Sequence, residues 1–161
     1  MFINRHIRRL GIVIVCFLGC RRVDAQGGQP ALATVNSVKC TFPILATGTW
    51  KNGKPEAAVK PAGLSLKFDS VNVDEGTAVL LANVGGTASK SDILVRLSKG
   101  TLHLLQMFTD GPLYTTTIFP NETRAGKLQA VHTRHEFTAG MSLPGFTWQP
   151  EQYYGECEVH H

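Results

Sequence analysis

Alternation of apolar and polar side chains governs the chain from residue 64 onward and predicts β-strands. Its first clear example sets three apolar residues two positions apart, at Leu64, Leu66 and Phe68. That period is typical of a strand with one buried face. The apolar positions then move to odd numbers at Val71 and Val73, which predicts a bulge near Asp69 and Ser70. After Gln26, no window of about 11 residues or more keeps the spacing of an amphipathic helix.

The same alternation recurs along the rest of the chain, and turn residues separate its repeats. Further strands are predicted at 77–84, 93–97, 101–108, 114–119, 127–137 and 152–159. The turns fall at 74–76, 85–86, 99–100, 110–112 and 120–123, and a longer loop at 140–150. About eight strands with short connections predict a single all-β domain, either an antiparallel barrel or a sandwich.

Residues 1–25 have the layout of a secretory signal. Arginines precede an apolar run at 10–18, and Val23-Asp24-Ala25 supplies suitable residues before a cut. The apolar run is too short to cross a bilayer, which takes about 20 residues. We therefore predict cleavage after Ala25 and a secreted or periplasmic protein without a transmembrane helix. A flexible lead at 26–33 then precedes the β domain at 34–159.

An alternative processing route stays open for the same leader. Phe17-Leu18-Gly19-Cys20 is similar to the lipobox of bacterial lipoproteins, in which the cysteine thiol receives a lipid after export. On that interpretation Cys20 carries a lipid anchor. On the other, Cys16 and Cys20 are apolar residues of the signal and are removed with it. The mass of the mature N-terminus distinguishes the two.

Two cysteines remain after the leader, Cys40 near the start of the domain and Cys157 near its end. An exported protein meets an oxidising compartment, so we predict one disulfide between them. The short ligand spacing of a zinc site is missing, and no metal or cofactor is expected. His160 and His161 end the chain and are expected to fray.

The charge of the chain belongs mostly to its leader. The full sequence has 16 Lys and Arg against 12 Asp and Glu, but five of the arginines precede residue 26. Residues 26–161 hold 11 basic and 11 acidic residues and are formally neutral. A nucleic-acid partner requires a basic footprint, so none is expected.

One polar cluster is a weak candidate for a site, and it lies on a predicted strand. Its members are His132, Arg134, His135 and Glu136. On a strand His135 faces away from the other three, so an H-x-x-H metal site is disfavoured. An Arg134–Glu136 pair on a solvated strand face is the simpler interpretation.

Enzyme signatures are missing from the sequence, which has no nucleophile elbow, P-loop, dinucleotide fingerprint or zinc-protease motif. We therefore expect no catalytic residues. A hydrolase without a recognisable motif stays open as an alternative, because a pair of catalytic carboxylates is set by distance in space and not by spacing along the chain.

Two resemblances add expectations. Gly48-Thr49-Trp50 resembles the G-x-W motif of lipocalins, and Thr109-Asp110 with Tyr114 is similar to a second motif of that family. That resemblance implies a barrel whose mouth admits a small apolar ligand. Arg134-His135 followed by the tail at 152–157, Gln-Tyr-Tyr-Gly-Glu-Cys, resembles small exported bacterial β-proteins of unassigned function, which implies export and the disulfide.

The sequence thus predicts noncatalytic binding, either of a small apolar ligand or of a protein partner. Aromatic side chains are the usual anchors of such contacts. The candidates are Trp50, Tyr114, Phe146, Trp148, Tyr153 and Tyr154. Packing in the core or at a barrel end is the alternative role of Trp50 and Trp148. A small exported β-barrel inhibitor of an enzyme is a further alternative.

Overall fold

The fold is described from a computed structural model. The structure describes residues 31–84, 87–109, 112–135 and 150–161, without the side chains at 31, 82–84 and 87–88. Several predictions from the sequence lie outside the described residues: the signal peptide, Cys20, Glu136, Phe146, Trp148 and the turns at 85–86 and 110–111.

Eight antiparallel strands follow a short 3-10 turn at Ala31–Ala33 and make up one sheet. They are β1 Ser37–Lys51, β2 Lys54–Asn72, β3 Thr77–Val84, β4 Thr87–Ser98, β5 Thr101–Met107, β6 Leu113–Glu122, β7 Leu128–His135 and β8 Glu151–His160. Each strand pairs with the next along the chain, and β8 pairs with β1. The sheet therefore closes into a barrel. This confirms the all-β prediction and favours the barrel over the sandwich.

Two tight turns show how local sequence sets the hairpins. Asn52 and Gly53 both have positive φ, 51° and 76°, between β1 and β2. Lys99 and Gly100 have φ of 49° and 78° between β4 and β5. Two-residue hairpin turns with this twist need positive φ, which Gly and Asn tolerate best. The turn predicted at 99–100 is confirmed.

The predicted bulge in β2 is also confirmed. The register between β2 and β3 shifts between Asp69 and Asn72, and Ser70 has a φ of 53°. Because the extra residue reverses the alternation, Phe68 and Val71 are both buried. One strand can thus keep its apolar face inward on both sides of the bend.

The turn predicted at 120–123 is wrong by a few residues. Strand β6 continues to Glu122, and the turn follows it, with Gly126 at a φ of 72°. Pro120 lies where the register between β6 and β7 is irregular, between Ile118 and Glu122. Proline is tolerated in a strand at such an irregularity, since no ladder hydrogen bond is lost there.

Side chains from all eight strands pack in the core of the barrel. The buried apolar set from the strands comprises Val38, Cys40, Phe42, Phe68, Val71, Ala78, Leu80, Ile93, Val95, Leu102, Leu104, Ile118, Ala130, Tyr153 and Cys157. Cys40 and Cys157 face each other across β1 and β8 and form the predicted disulfide, with their Cα atoms 4.0 Å apart. The covalent bond therefore ties together the first and last strands of the ring.

The first described residues close one end of the barrel. Leu32 is fully buried, so the end of the expected flexible lead packs onto the core instead. The backbone N–H of Asn36 donates to His160 O at 2.8 Å, and His161 Nδ1 lies 3.1 Å from both the hydroxyl and the carbonyl oxygen of Thr34. The expected fraying of the two terminal histidines is therefore wrong, because the first and last described segments hold each other.

Candidate binding end

A long hairpin projects from the opposite end of the barrel and is called the arm, residues 44–61. Within the described ranges, pairing of β1 with β8 ends at Thr47 and Glu151, and pairing of β2 with β3 begins at Lys67. All residues from Lys51 to Pro61 are exposed. The arm therefore extends past its neighbours and leaves the packed core.

The arm carries apolar side chains that face solvent. Trp50 is 75% exposed and Val59 is 72% exposed. Between them lie two shallow clefts, of about 380 and 280 Å³, which share Gly48, Ala57 and Pro150 in their walls. Packing of Trp50 in the core is thus wrong, because the arm holds its ring outside the barrel. The small residues leave room for a contact beside a large aromatic side chain.

A second apolar group lies at the same end of the barrel, which is called the arm end. Antiparallel order brings the connection between β5 and β6 to the end where the arm projects. Met107 is 68% exposed there, and Phe108 and Leu113 are also exposed. Phe108 packs edge-on against Tyr114, with their ring centroids 5.5 Å apart. Exposed apolar side chains therefore lie on two parts of the arm end, the arm itself and the β5–β6 connection, which come from opposite sides of the ring.

A group of polar side chains lies inside the barrel toward this end and is called the inner cluster: Thr116, His132, Arg134, Glu151 and Tyr153. His132 is 6% exposed, and its Nδ1 lies 2.9 Å from Thr116 Oγ1, within hydrogen-bonding distance. The rings of Phe42, Tyr114 and Tyr153 surround the imidazole, with centroids 5.8 to 6.2 Å away. The imidazole is thus packed mainly among aromatic rings.

This environment keeps His132 uncharged. Burial, with a smaller contribution from the positive charge of Arg134, lowers the pKa of His132 from 6.5 to about 4. The charged imidazolium loses its hydration inside the barrel, and a nearby cation disfavours it further. His132 is therefore neutral at pH 7.

Arg134 and Glu151 connect the inner cluster to the barrel mouth. An Arg134 guanidinium nitrogen lies 3.8 Å from Glu151 Oε2, and the guanidinium carbon is 5.0 Å from the centroid of the Tyr114 ring. The Tyr153 hydroxyl donates to the same Glu151 oxygen at 2.6 Å. Burial, together with this hydrogen bond, raises the pKa of Tyr153. One carboxylate thus neutralises the arginine and accepts from the tyrosine.

The polar residues proposed from the sequence separate as the strand periodicity predicts. His132 and Arg134 face inward, whereas His135 is exposed on the outer surface. The expected solvated strand face is wrong for Arg134, because its partner Glu151 comes from β8 and both side chains are mostly buried. Among the described residues, no group of three or more His, Cys, Asp and Glu is placed to hold a metal ion.

The aromatic candidates also divide between the two faces of the sheet. Tyr114 and Tyr153 border the inner cluster, whereas Trp50 and Tyr154 lie on the outside. The Tyr154 hydroxyl donates to Gln152 Oε1 at 2.9 Å. The four described candidates therefore do not lie in a single site.

Sequence reasoning missed several residues of both groups. Thr116 and Glu151 complete the inner cluster, and Val59 and Met107 belong to the exposed apolar set. Asn52-Gly53 is a hairpin signal that could have revealed the arm, but no turn was predicted there. The partners of the inner cluster gave no comparable signal, since they meet only through pairing of strands.

Comparisons with family models, curated proteins and solved structures gave no match for this chain. Within the described ranges, no helix has the length and apolar character needed to cross a bilayer.

Proposed function

We propose that this chain is an exported, noncatalytic binding protein that engages a protein partner through its arm end. The observation that carries the proposal is the exposure of large apolar side chains at this end of the barrel, with Trp50, Val59 and Met107 each about 70% exposed. Large exposed aromatic and methionine side chains are enriched where proteins bind one another. All eight strands contribute buried side chains to the core, which favours a surface contact over a small ligand enclosed in the barrel.

Export is supported by two features from opposite parts of the chain. The leader at 1–25 has the charge and apolar pattern of a secretory signal. The buried Cys40–Cys157 disulfide suits an oxidising compartment. A secreted or periplasmic location accounts for both.

The inner cluster supports a noncatalytic role. Thr116 lies within hydrogen-bonding distance of His132, and Tyr153 donates to Glu151. No buried side-chain nitrogen or oxygen in the described part of the chain lacks a hydrogen-bond partner. A general base needs access to a substrate proton, whereas the His132 ring is enclosed by aromatic side chains. We therefore assign the inner cluster to the packing of the barrel.

Photo-crosslinking tests this function directly. A photoreactive benzophenone amino acid replaces Met107 in the purified protein, which is then irradiated in the secreted protein fraction of its native source. We expect one discrete adduct with a different protein, identified by mass spectrometry, and a severalfold lower yield when Trp50→Ala is added. The matched control places the same group at the exposed Glu75, in the turn at the opposite end.

Binding through the arm end would be refuted if position 107 gave no adduct. It would also be refuted if position 75 gave adducts as frequently as position 107. A lipid or other small apolar molecule as the sole captured species would support the ligand alternative. Capture of a secreted hydrolase would identify the protein as an enzyme inhibitor, which is a specific case of the proposed function.

A further inference from the structure

The outer edge of the arm has no strand beside it among the described residues. The β2–β3 register, with Lys67 opposite Leu81, extrapolates to Val84, the last residue of β3, opposite Leu64. Residues 54–61 lie beyond that point, and all of them are exposed. An unpaired edge presents backbone N–H and C=O groups to which another strand can add.

Hydrogen bonding within the arm decides which of these backbone groups face outward. The two-residue turn is flanked by Lys51 and Lys54, and such a flanking pair exchanges both of its hydrogen bonds. The pairing continues without a slip to Ile44 and Pro61. Even-numbered residues of β2 in the arm therefore bond to β1, and odd-numbered residues direct their N–H and C=O groups away from it.

Prolines limit the edge at both ends. Pro55 and Pro61 occupy two of the odd-numbered positions, where the missing N–H costs no bond to β1. Only Ala57 and Val59 remain as outward donors between them. The edge that can accept a strand is thus the short segment 56–60.

This segment is complementary to itself. Its residues read Glu56, Ala57, Ala58, Val59 and Lys60, with opposite charges at its two ends. In an antiparallel pair of identical segments, Glu56 of each copy faces Lys60 of the other. We propose that two copies of this chain associate by pairing their arms antiparallel, with Ala58 opposite the partner's Ala58.

Hydrogen bonds and charges agree in this register. Ala57 exchanges both hydrogen bonds with the partner's Val59, and the reciprocal pair does the same, so every outward donor is used. In the next register toward the turn, a shift of two residues, Lys54 comes opposite the partner's Lys60, and like charges face each other. The opposite shift leaves Glu56 and Lys60 without an oppositely charged residue. Cross-strand charge pairs therefore select the symmetric register.

The arrangement also fits the space beside the arm. The partner's Lys54 comes opposite Ala62, short of Leu64, where β3 begins to run alongside β2. Ala58 meets its symmetry mate at a position without hydrogen bonds between the two residues, where Cα atoms approach to about 4.5 Å. The small alanine side chain suits that close approach, and the partner's Ala57 lies beside Val59 on the exposed face.

Self-association of charge variants tests both the dimer and its register. Sedimentation velocity of the purified protein covers about 10 to 500 µM, because interfaces smaller than about 1,200 Å² bind weakly. We expect a dimer that increases with concentration. Glu56→Lys and Lys60→Glu each set like charges opposite each other twice and should weaken the dimer about tenfold or more. An equimolar mixture of the two variants restores both charge pairs and should dimerise as the original does.

A cysteine scan gives a second measurement on the same strand. Ala58→Cys should form a disulfide between two copies under mild oxidation, because residues 58 face each other at a bridgeable distance. Val59→Cys is the matched control, since each residue 59 lies opposite residue 57 of the partner. Peptide mapping identifies the linked residues and separates them from native cysteines.

A protein that is monomeric throughout the concentration range would overturn the proposal. A dimerisation affinity that is unchanged by the charge variants would also overturn it. So would a cross-link that is no more frequent at position 58 than at position 59. None of these outcomes affects the capture of a different protein at position 107, so the dimer and the proposed function fail separately.

Discussion

Acidification from pH 7 to pH 4 is expected to destabilise the barrel through His132. In the unfolded chain this histidine takes up a proton near pH 6.5, whereas in the barrel it does so only near pH 4, because burial lowers its pKa. Between those values the unfolded chain binds the proton and the folded chain does not. The stabilising contribution is therefore complete above pH 6.5 and is lost as the pH falls toward 4.

The size of the effect follows from the two pKa values. A tenfold change in proton affinity corresponds to about 1.4 kcal/mol. The difference between 6.5 and about 4 therefore amounts to about 3 kcal/mol of unfolding free energy. The unfolding free energy of a domain is usually about 5 to 15 kcal/mol, so this loss is a large fraction of it.

Urea unfolding at several pH values, with the disulfide intact, measures this contribution. The matched variant is His132→Gln, which keeps a polar side chain but does not titrate. The difference in unfolding free energy between the original protein and the variant should fall by about 3 kcal/mol from pH 7 to pH 4. An NMR titration of the imidazole reports the same pKa. A pKa near 6.5, or a difference that stays constant with pH, would refute the reasoning.

Three further predictions concern the packing of the ring, and urea unfolding checks each of them. Gly155→Ala places a Cβ against the backbone of Thr41 and should cost about 3 kcal/mol or more; an unchanged midpoint would contradict that close approach. Joint replacement of Cys40 and Cys157 by alanine should cost about 4 to 5 kcal/mol, since the bond spans a sequence separation of 117. Leu32→Ala should cost about 3 kcal/mol, whereas an effect below about 0.5 would show that the first described turn is not part of the core.

Most of the ring was readable from the sequence because its strands alternate and its turns carry suitable residues. The phase change after Phe68 indicated the bulge at Ser70, and Lys99 with Gly100 indicated a hairpin. The outer half of β2 escaped detection, since all of its residues from Lys54 to Pro61 are exposed and no buried face imposes alternation.

The inner cluster was harder to read because its contacts join distant parts of the chain. Strand periodicity placed His132 and Arg134 on one face correctly. It does not say which face is inside, nor that Glu151 would approach Arg134 from the next strand. Local spacing suggested Glu136, which lies outside the described residues, as the partner of Arg134. The register between β7 and β8 brings Glu151 opposite Arg134, and local spacing gave no signal for that contact.

Closure of the ring links formation of the disulfide to the order in which the strands pair. Every other strand pair joins neighbours along the chain, so the hairpins can form locally and early. The pairing of β1 with β8 alone spans the whole domain and carries the largest cost of loop closure. Cys40 and Cys157 come within 4.0 Å, measured between Cα atoms, through that same pairing. Formation of the disulfide between these two thiols therefore reports when β1 and β8 have paired during folding.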